Sequence, residues 1–156
     1  MTQAYAASNE LAGTKQAITT SYKTLLALTA QTSGLRRAKV FEVMIGTGGT
    51  PADTAYEFDI SRQTNVGTST SVTPNPVDPG DPACATVGSA NFTSEGSITA
   101  TSSLFYLAIN QKASYRWVAR DGMELVIPAI NLAGVAIRTK SPAGTAVAGA
   151  QAYFTE

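Results

Sequence analysis

The sequence predicts an all-β protein of the jelly-roll type, a β-sandwich of about eight antiparallel strands, and three observations support this fold class. Over most of the chain, β-branched and aromatic residues alternate with polar ones, which is the period of a half-buried strand. Clusters of glycine, proline, asparagine and aspartate separate these runs, as turns do. The 156 residues contain no internal repeat, which favours short strands in two packed sheets over a propeller or a solenoid.

The beginning of the chain is expected to lie outside the sandwich. Alanine, leucine and glutamate give residues 3–18 a weak helical character, which Gly13 and Thr14 interrupt. The large apolar side chains of this segment are spaced too widely to offset its ordering entropy. We therefore expect residues 1–17 to form an extended N-terminal arm that orders only on a partner, and residues 18–156 to form the jelly-roll domain.

The first two strands are predicted at residues 22–28 and 39–45, which are runs rich in apolar and β-branched residues. In the second of these strands, Phe41, Val43 and Ile45 share one face. We expect that face to belong to the core.

A glycine-rich stretch, residues 46–51, is predicted to end the second strand, because glycine favours turns and proline lacks a backbone donor. The third strand is predicted at residues 56–62, where large apolar residues alternate strictly with Glu57, Asp59 and Ser61. Such alternation is typical of an antiparallel strand with one solvated face. The three polar side chains are therefore expected to face water.

The middle of the chain is predicted to be a long ordered loop. Residues 63–97 are rich in threonine, serine, asparagine, glycine and proline, and can hold at most one short edge strand near residues 68–73. Regular strands resume at residues 98–109. The nearly all-apolar residues 104–109 predict a strand that is buried on both sides or lies in a subunit interface.

A hairpin is predicted next, with strands at residues 115–119 and 123–127. Asp121 and Gly122 lie between two alternating runs, and the Asp-Gly pair favours a type I′ turn, in which both central residues have positive φ. The last two strands are predicted at residues 134–139 and 144–154, with a turn at residues 141–144.

The composition bounds the classes of partner. Eleven basic residues balance eleven acidic ones, so no long-range field attracts nucleic acid, and charged residues make up only 14% of the chain. The small, neutral surface that this implies is suited to packing against another protein. The single cysteine, Cys84, excludes an intrachain disulfide and predicts a small buried thiol. No apolar stretch reaches 18 residues and the first residues do not resemble a signal peptide, so we expect no membrane contact and synthesis in the cytoplasm.

Catalytic chemistry is not expected. The chain has no histidine, which removes the commonest general base and metal ligand and argues against a small hydrolase. Two carboxylate pairs, Glu57 with Asp59 and Asp121 with Glu124, could in principle perform glycoside hydrolysis. The first pair is better explained by the solvated face of a strand, and Asp121 by turn chemistry.

Four further patterns in the sequence predict no catalytic, cofactor-binding or metal-binding residue. Residues 46–50 resemble a phosphate-binding loop, but no lysine or helix follows them. Residues 78–81 offer two carboxylates without the spacing of a calcium loop, so a turn is expected there. The basic residues within 35–39 lack interleaved aromatic residues, which favours a solvated surface or contact with an acidic neighbour over nucleic acid. Trp117 is expected in the core or in a subunit interface.

Five stretches together resemble a family of small virion proteins of tailed bacteriophages. They are residues 41–53 (FEVMIGTGGTPAD), 58–64 (FDISRQT), 115–125 (YRWVARDGMEL), 131–135 (NLAGV) and 153–156 (YFTE). The resemblance extends over about residues 20–156.

The resemblance implies a capsid decoration, or cement, protein with a jelly-roll core, located on the exterior of the virion. Such a protein binds the major capsid protein, often associates into homotrimers, and needs no cofactor. A second hypothesis, from a different class, is a carbohydrate- or receptor-binding β-sandwich module of a phage head or tail fibre. Its aromatic platform would use Trp117, Tyr106 or Tyr115.

Overall fold

The structure is a computed structural model that describes residues 2–141 and 146–156, and it consists of two six-stranded antiparallel sheets. A short 3-10 helix covers Asn9–Ala12. The strands are β1 (Ala4–Ser8), β2 (Lys23–Thr29), β3 (Ala38–Gly48), β4 (Ala55–Asn65), β5 (Thr68–Val72), β6 (Asn75–Pro76), β7 (Val87–Ser94), β8 (Ser97–Asn110), β9 (Tyr115–Val118), β10 (Leu125–Ile127), β11 (Gly134–Lys140) and β12 (Val147–Thr155).

The strand order is that of a jelly roll, which confirms the predicted all-β sandwich. The first sheet has the order β10-β3-β12-β1-β6, with β9 also paired to β3, and the second has the order β5-β7-β2-β11-β4-β8. If β9 and β10 are taken as one interrupted strand, the two inner sets of four are β9/β10-β3-β12-β1 and β8-β4-β11-β2. This is the double Greek-key connectivity of a jelly roll. The strands β5, β6 and β7 belong to the long segment between β4 and β8.

The core lies between the two sheets and is built from alternate residues of each strand. The first sheet contributes Val43 and Phe154, and the second contributes Phe58 and Ile137, all at most 3% exposed. Full burial of each such side chain stabilises the fold by about 1.5–3 kcal/mol. Among the described residues, no helix is long and apolar enough to cross a membrane.

The N-terminal segment is part of the sandwich, which corrects the expectation that residues 1–17 form an arm that orders only on a partner. Ala4–Ser8 is strand β1, which lies between β12 and β6. Tyr5 is 1% exposed and its ring stacks on Phe154 with the centroids 5.5 Å apart. The side chain of Asn9 continues the pairing by donating to the carbonyl of Ala148 at 3.0 Å. The partner strand lies at the opposite end of the chain, so local periodicity could not reveal it.

Phe41 does not face the core, because the register of β3 shifts beside it. In the pairing of β12 with β3, Tyr153 is opposite Glu42 but Phe154 is opposite Val40. This β-bulge leaves Phe41 without a partner and reverses the side on which its ring lies. Val40 therefore joins Val43 and Ile45 in the core, whereas the half-exposed Phe41 ring lies beside that of Tyr153.

The predicted hairpin is wrong, since β9 and β10 do not pair with each other. Both are antiparallel to β3 and follow one another along its free edge, as one edge strand that is interrupted at residues 119–124. Within the interruption, the amide of Met123 donates to the carbonyl of Arg120 at 2.8 Å. Gly122 has φ of 79° whereas Asp121 has negative φ, which is the pattern of a type II turn rather than type I′.

Two other segments differ from the expectations. The short strand predicted near residues 68–73 is present as β5, but the proposed loop also contains β7, an eight-residue strand paired with β2. Small residues allow β7 to lie close to its neighbours, and a side chain at Gly88 would meet the carbonyl oxygen of Val72 at 2.9 Å. The turn predicted at residues 141–144 lies largely outside the described residues, and the final strand is described from Val147.

Candidate assembly surface

One side of the sandwich is open, because β8 and the interrupted strand β9–β10 are free edges of the two sheets. Aromatic side chains fill the gap between these edges. Phe105 of β8 stacks on Tyr115 with the ring centroids 5.8 Å apart, and lies 6.4 Å from Trp117. Trp117 packs against the core and is half-buried, in agreement with its expected core or interface position.

Around Trp117, large apolar side chains remain in contact with water. Val118 is 51% exposed and Met123 is 67% exposed. Together with Leu104, Trp117 and Leu125 they line a shallow groove of about 350 Å³, and this set is called the apolar strip below. Of the described residues that line the groove, Arg120 alone is charged.

Local irregularities of the backbone place these side chains at the edge. The pairing of β4 with β8 shifts register between Phe105 and Ser103, so Leu104 is left without a partner in the ladder. The type II turn presents Met123 where β9 ends. Residues 104–109 were predicted to be buried on both sides or to lie in a subunit interface. The first alternative is wrong, because β8 is an edge strand with Leu104 and Tyr106 exposed, and the second stays a prediction.

The polar face of β4 is buried, which corrects the prediction that it faces water. Asp59 is 4% exposed and Ser61 is 2% exposed. The carboxylate of Asp59 accepts hydrogen bonds from the hydroxyls of Ser61 and Ser103, at 2.6 and 2.5 Å, and from the guanidinium of Arg138. Tyr22 covers this pair, since the Arg138 guanidinium lies 4.7 Å from its ring centroid. These hydrogen bonds and the ion pair with Arg138 offset the cost of burying the charge of Asp59. The described residues of the network include no further acidic or basic group that could transfer a proton.

Glu57 lies two residues before Asp59, on the same face of β4. It is half-buried and ion-paired. Its carboxylate lies 3.2 Å from the ammonium of Lys140 and accepts a hydrogen bond from the Tyr106 hydroxyl at 3.2 Å. The hydrogen bond with Glu57 raises the pKa of Lys140 above its ordinary value. Glu57 and Asp59 therefore have separate cationic partners.

The second carboxylate pair is also separated by its surroundings. Asp121 is exposed in the turn, whereas Glu124 lies 3.8 Å from the ammonium of Lys39. Hydrogen bonds from backbone amides, together with Lys39, hold the pKa of Glu124 below its ordinary value. Neither pair places an acid opposite a base across a substrate cleft.

The remaining sequence patterns have structural roles. Residues 46–48 continue β3 and no helix follows, so the stretch does not form a phosphate cradle. Asp78 closes its own turn by accepting from the amide of Gly80 at 2.8 Å. Among the described residues, no group of three acidic or cysteine side chains could hold a metal ion. Burial raises the pKa of the half-buried Cys84 thiol to about 11, with the charge of Glu156 adding to the effect.

The basic residues Arg36, Arg37 and Lys39 contact different neighbours. Arg36 lies 3.5 Å from the carboxylate of Glu156, and Lys39 pairs with Glu124. Arg37 has no ion pair among the described residues. It lines a separate cleft of about 560 Å³ with Arg62, Val126, Pro128, Ala129 and Ile130, which is called the basic cleft below.

Sequence reasoning missed the buried carboxylate of Glu156, at the end of β12. It accepts hydrogen bonds from the amides of Ala85 and Thr86, both at 2.9 Å, and thereby fixes the long loop before β7 against the first sheet. A glutamate after an apolar strand carries no signal of such a role. Comparison of the chain with protein-family models, with curated proteins and with solved structures gives no match.

Proposed function

We propose that this protein is a structural component of a bacteriophage virion, which decorates and stabilises the outer surface of the capsid by bridging major capsid protein subunits. The observation that carries its role in assembly is the apolar strip. Monomeric proteins rarely leave adjoining large apolar side chains in water, and such patches mark surfaces that another protein covers. The capsid as partner rests on the resemblance of the sequence to phage decoration proteins.

Three of the five stretches that carry this resemblance adjoin one another in the fold. Residues 41–53 include most of β3, residues 115–125 include β9 and the start of β10, and residues 153–156 end β12. The strands β9, β10 and β12 all pair with β3. These three stretches thus lie together in one half of the first sheet, and the apolar strip lies at the edge of that half, whereas residues 58–64 lie in β4 and residues 131–135 lead into β11 in the second sheet. Because the apolar strip borders the strands that carry the resemblance, this edge of the sheet is the surface that we expect the partner to cover.

The strip has the composition of an interface centre. Tryptophan and methionine are enriched where interfaces are fully buried, and Trp117 is already fixed by its contact with Phe105. An anchor that is rigid before binding loses little conformational entropy when the partner covers it. Arg120 lies at the same groove without an ion pair among the described residues, and therefore favours a partner that carries a carboxylate opposite it.

The proposal is tested by binding the purified protein to capsids that are assembled from the major capsid protein of the same phage. We expect saturable binding to the exterior. The double variant Val118→Ser, Met123→Ser should weaken binding roughly tenfold or more, because two exposed apolar side chains lose their burial. Leu11→Ser is the matched control, since Leu11 is 50% exposed in the 3-10 helix and does not line the strip. Equal affinity of the wild type and the double variant would contradict a role of the strip.

Self-association into a homotrimer is part of the same proposal, and sedimentation equilibrium of the free protein measures it.

A second candidate function, carbohydrate binding, is favoured by one observation. The Tyr106 ring is 57% exposed beside the ion pair of Glu57 and Lys140, which combines a stacking platform with hydrogen-bonding groups. Tyr115 and Trp117 are less suited, because both pack against Phe105. Glycan binding that is lost in Tyr106→Ala would favour this second function.

A further inference from the structure

The charged residues that lack ion pairs form two patches of opposite sign. Within residues 2–141 and 146–156, seven ion pairs occupy seven of the eleven acidic and seven of the eleven basic side chains. Among the described residues, this leaves the bases Arg37, Arg62, Lys112 and Arg120, and the acids Asp53, Asp78, Asp81 and Asp121. Arg120 and Asp121 are sequence neighbours, and the chain brings Lys112 next to Asn110, which binds Asp53. The other four form an all-basic and an all-acidic patch.

The basic patch is the basic cleft at the β10 edge of the first sheet. Arg37 is exposed at its rim, whereas Arg62 is half-buried and donates to the carbonyl of Val126 at 2.6 Å. That hydrogen bond fixes the guanidinium of Arg62 without neutralising its charge. Ile130 is 61% exposed in the same cleft, so the surface combines two cations with an apolar contact.

The acidic patch is the turn at residues 77–81, which is called the acidic loop below. Asp78 and Asp81 lie on either side of a proline and a glycine, and Val77 before them is 58% exposed. The loop is already ordered, since the amide of Val77 donates to the carbonyl of Ala4 at 2.8 Å and that of Asp81 to the carbonyl of Asp78 at 3.0 Å. A preordered loop loses little conformational entropy when it docks.

The two patches lie at opposite edges of one sheet. The acidic loop follows β6, the outermost strand on one side, and the basic cleft adjoins β10, the outermost strand on the other. Four strand spacings separate these edges, which amounts to about 19 Å. The two patches are therefore too far apart to meet within one molecule, although each offers the charge and the exposed apolar side chain that complement the other.

We infer that the acidic loop of one copy docks into the basic cleft of the next copy. Asp78 and Asp81 then oppose Arg37 and Arg62, and Val77 contacts Ile130. Because the two surfaces are different, this contact is head-to-tail, and a rotation that closes it produces a ring. The inference concerns the purified chain alone and does not rest on the proposed binding to a capsid.

Sedimentation equilibrium of the full-length protein tests this contact. We expect concentration-dependent association that weakens between about 0.1 M and 1 M salt, as the Debye length falls from about 10 Å to about 3 Å. Arg37→Glu or Asp78→Arg alone should raise the dissociation constant roughly tenfold or more, since each places like charges in contact. The double variant Arg37→Glu, Asp78→Arg should recover association, and an equimolar mixture of the two single variants should recover the contact between unlike copies, which is measured as formation of the mixed dimer. Both positions are exposed, so neither substitution buries a charge or leaves a cavity in the core. Asp78→Arg also removes the turn hydrogen bond donated by the Gly80 amide, so its circular dichroism and melting temperature are compared with those of the wild type.

Lys112→Glu is the matched control, because it reverses an unpaired exposed charge outside both patches and should leave association unchanged. A wild-type protein that remains monomeric at every protein and salt concentration would overturn the inference. Binding of an unrelated acidic peptide to the basic cleft would not rescue it. The inference would also be overturned by single variants that associate as tightly as the wild type, or by a double variant that stays dissociated. Loss of association in the strip variant Val118→Ser, Met123→Ser but in neither charge variant would assign self-association to the apolar strip instead.

Discussion

Truncation of Tyr5 measures how strongly the N-terminal strand belongs to the fold. The side chain is 1% exposed, its ring stacks on Phe154, and its hydroxyl donates to the carbonyl of Pro82 at 3.0 Å. Replacement of a buried aromatic side chain by alanine costs about 3–5 kcal/mol in lost burial and in the cavity left behind. The lost stacking lies within that sum and contributes about 0.5–1.5 kcal/mol of it. We therefore expect Tyr5→Ala to lower the free energy of unfolding by about 3–5 kcal/mol.

Urea unfolding of the free protein, followed by circular dichroism, gives this quantity from the shift of the midpoint at constant slope. Tyr106→Ala is the matched control, because it removes the same atoms from a ring that is 57% exposed, and it should cost less than about 1 kcal/mol. Equal stability losses in the two variants would refute the placement of β1 in the core. Such a result would instead restore an N-terminal arm that orders only on a partner.

Three further predictions concern the buried ion pair, the turn and the thiol. Arg138→Met should destabilise the protein by about 3–5 kcal/mol in chemical unfolding, because it leaves the buried carboxylate of Asp59 without its cation; the double variant with Asp59→Asn should recover most of this loss, and a fully additive double variant would contradict the coupling. Gly122→Val should lower stability by about 1–3 kcal/mol through the positive φ, whereas Gly46→Ala, where the nearest atom lies at 3.5 Å and φ is not positive, should be tolerated; equal melting temperatures of both variants would argue against the turn. Cys84, with its pKa raised from 9.0 to about 11, should have a roughly hundredfold smaller thiolate fraction at pH 8 than an unperturbed thiol, so alkylation should be slow in the native protein and accelerate only as the pH approaches 11; fast native alkylation at pH 8 would contradict its burial.

The fold class could be predicted because alternation is a local property. Residues 56–62 and 134–139 show the period of a strand without reference to any partner, and the structure contains both as strands. Errors arose where a partner or a register decides the outcome. The β-bulge at Phe41 depends on the distant residues of β12. The Asp121-Gly122 turn interrupts an edge strand, because the residues before the turn and the residues after it both pair with β3.

The candidate site was less predictable than the fold. Residues 104–109 were recognised as unusually apolar, but their position at a free edge is a result of topology, and Val118 and Met123 join them only through the interruption between β9 and β10. Asp59 was assigned to water because a strand with one polar face usually has that face solvated. Arg138, 79 positions away, pairs with it and makes its burial possible.

Electron cryomicroscopy of capsids saturated with the protein would show whether it has the proposed structural role on the capsid. We expect density for a β-sandwich on the exterior of the shell, at a fixed position between neighbouring major capsid subunits, with the apolar strip covered by a protein surface. Capsids that carry no such density at saturating protein concentration, or sandwiches bound with the strip exposed to solvent, would contradict it.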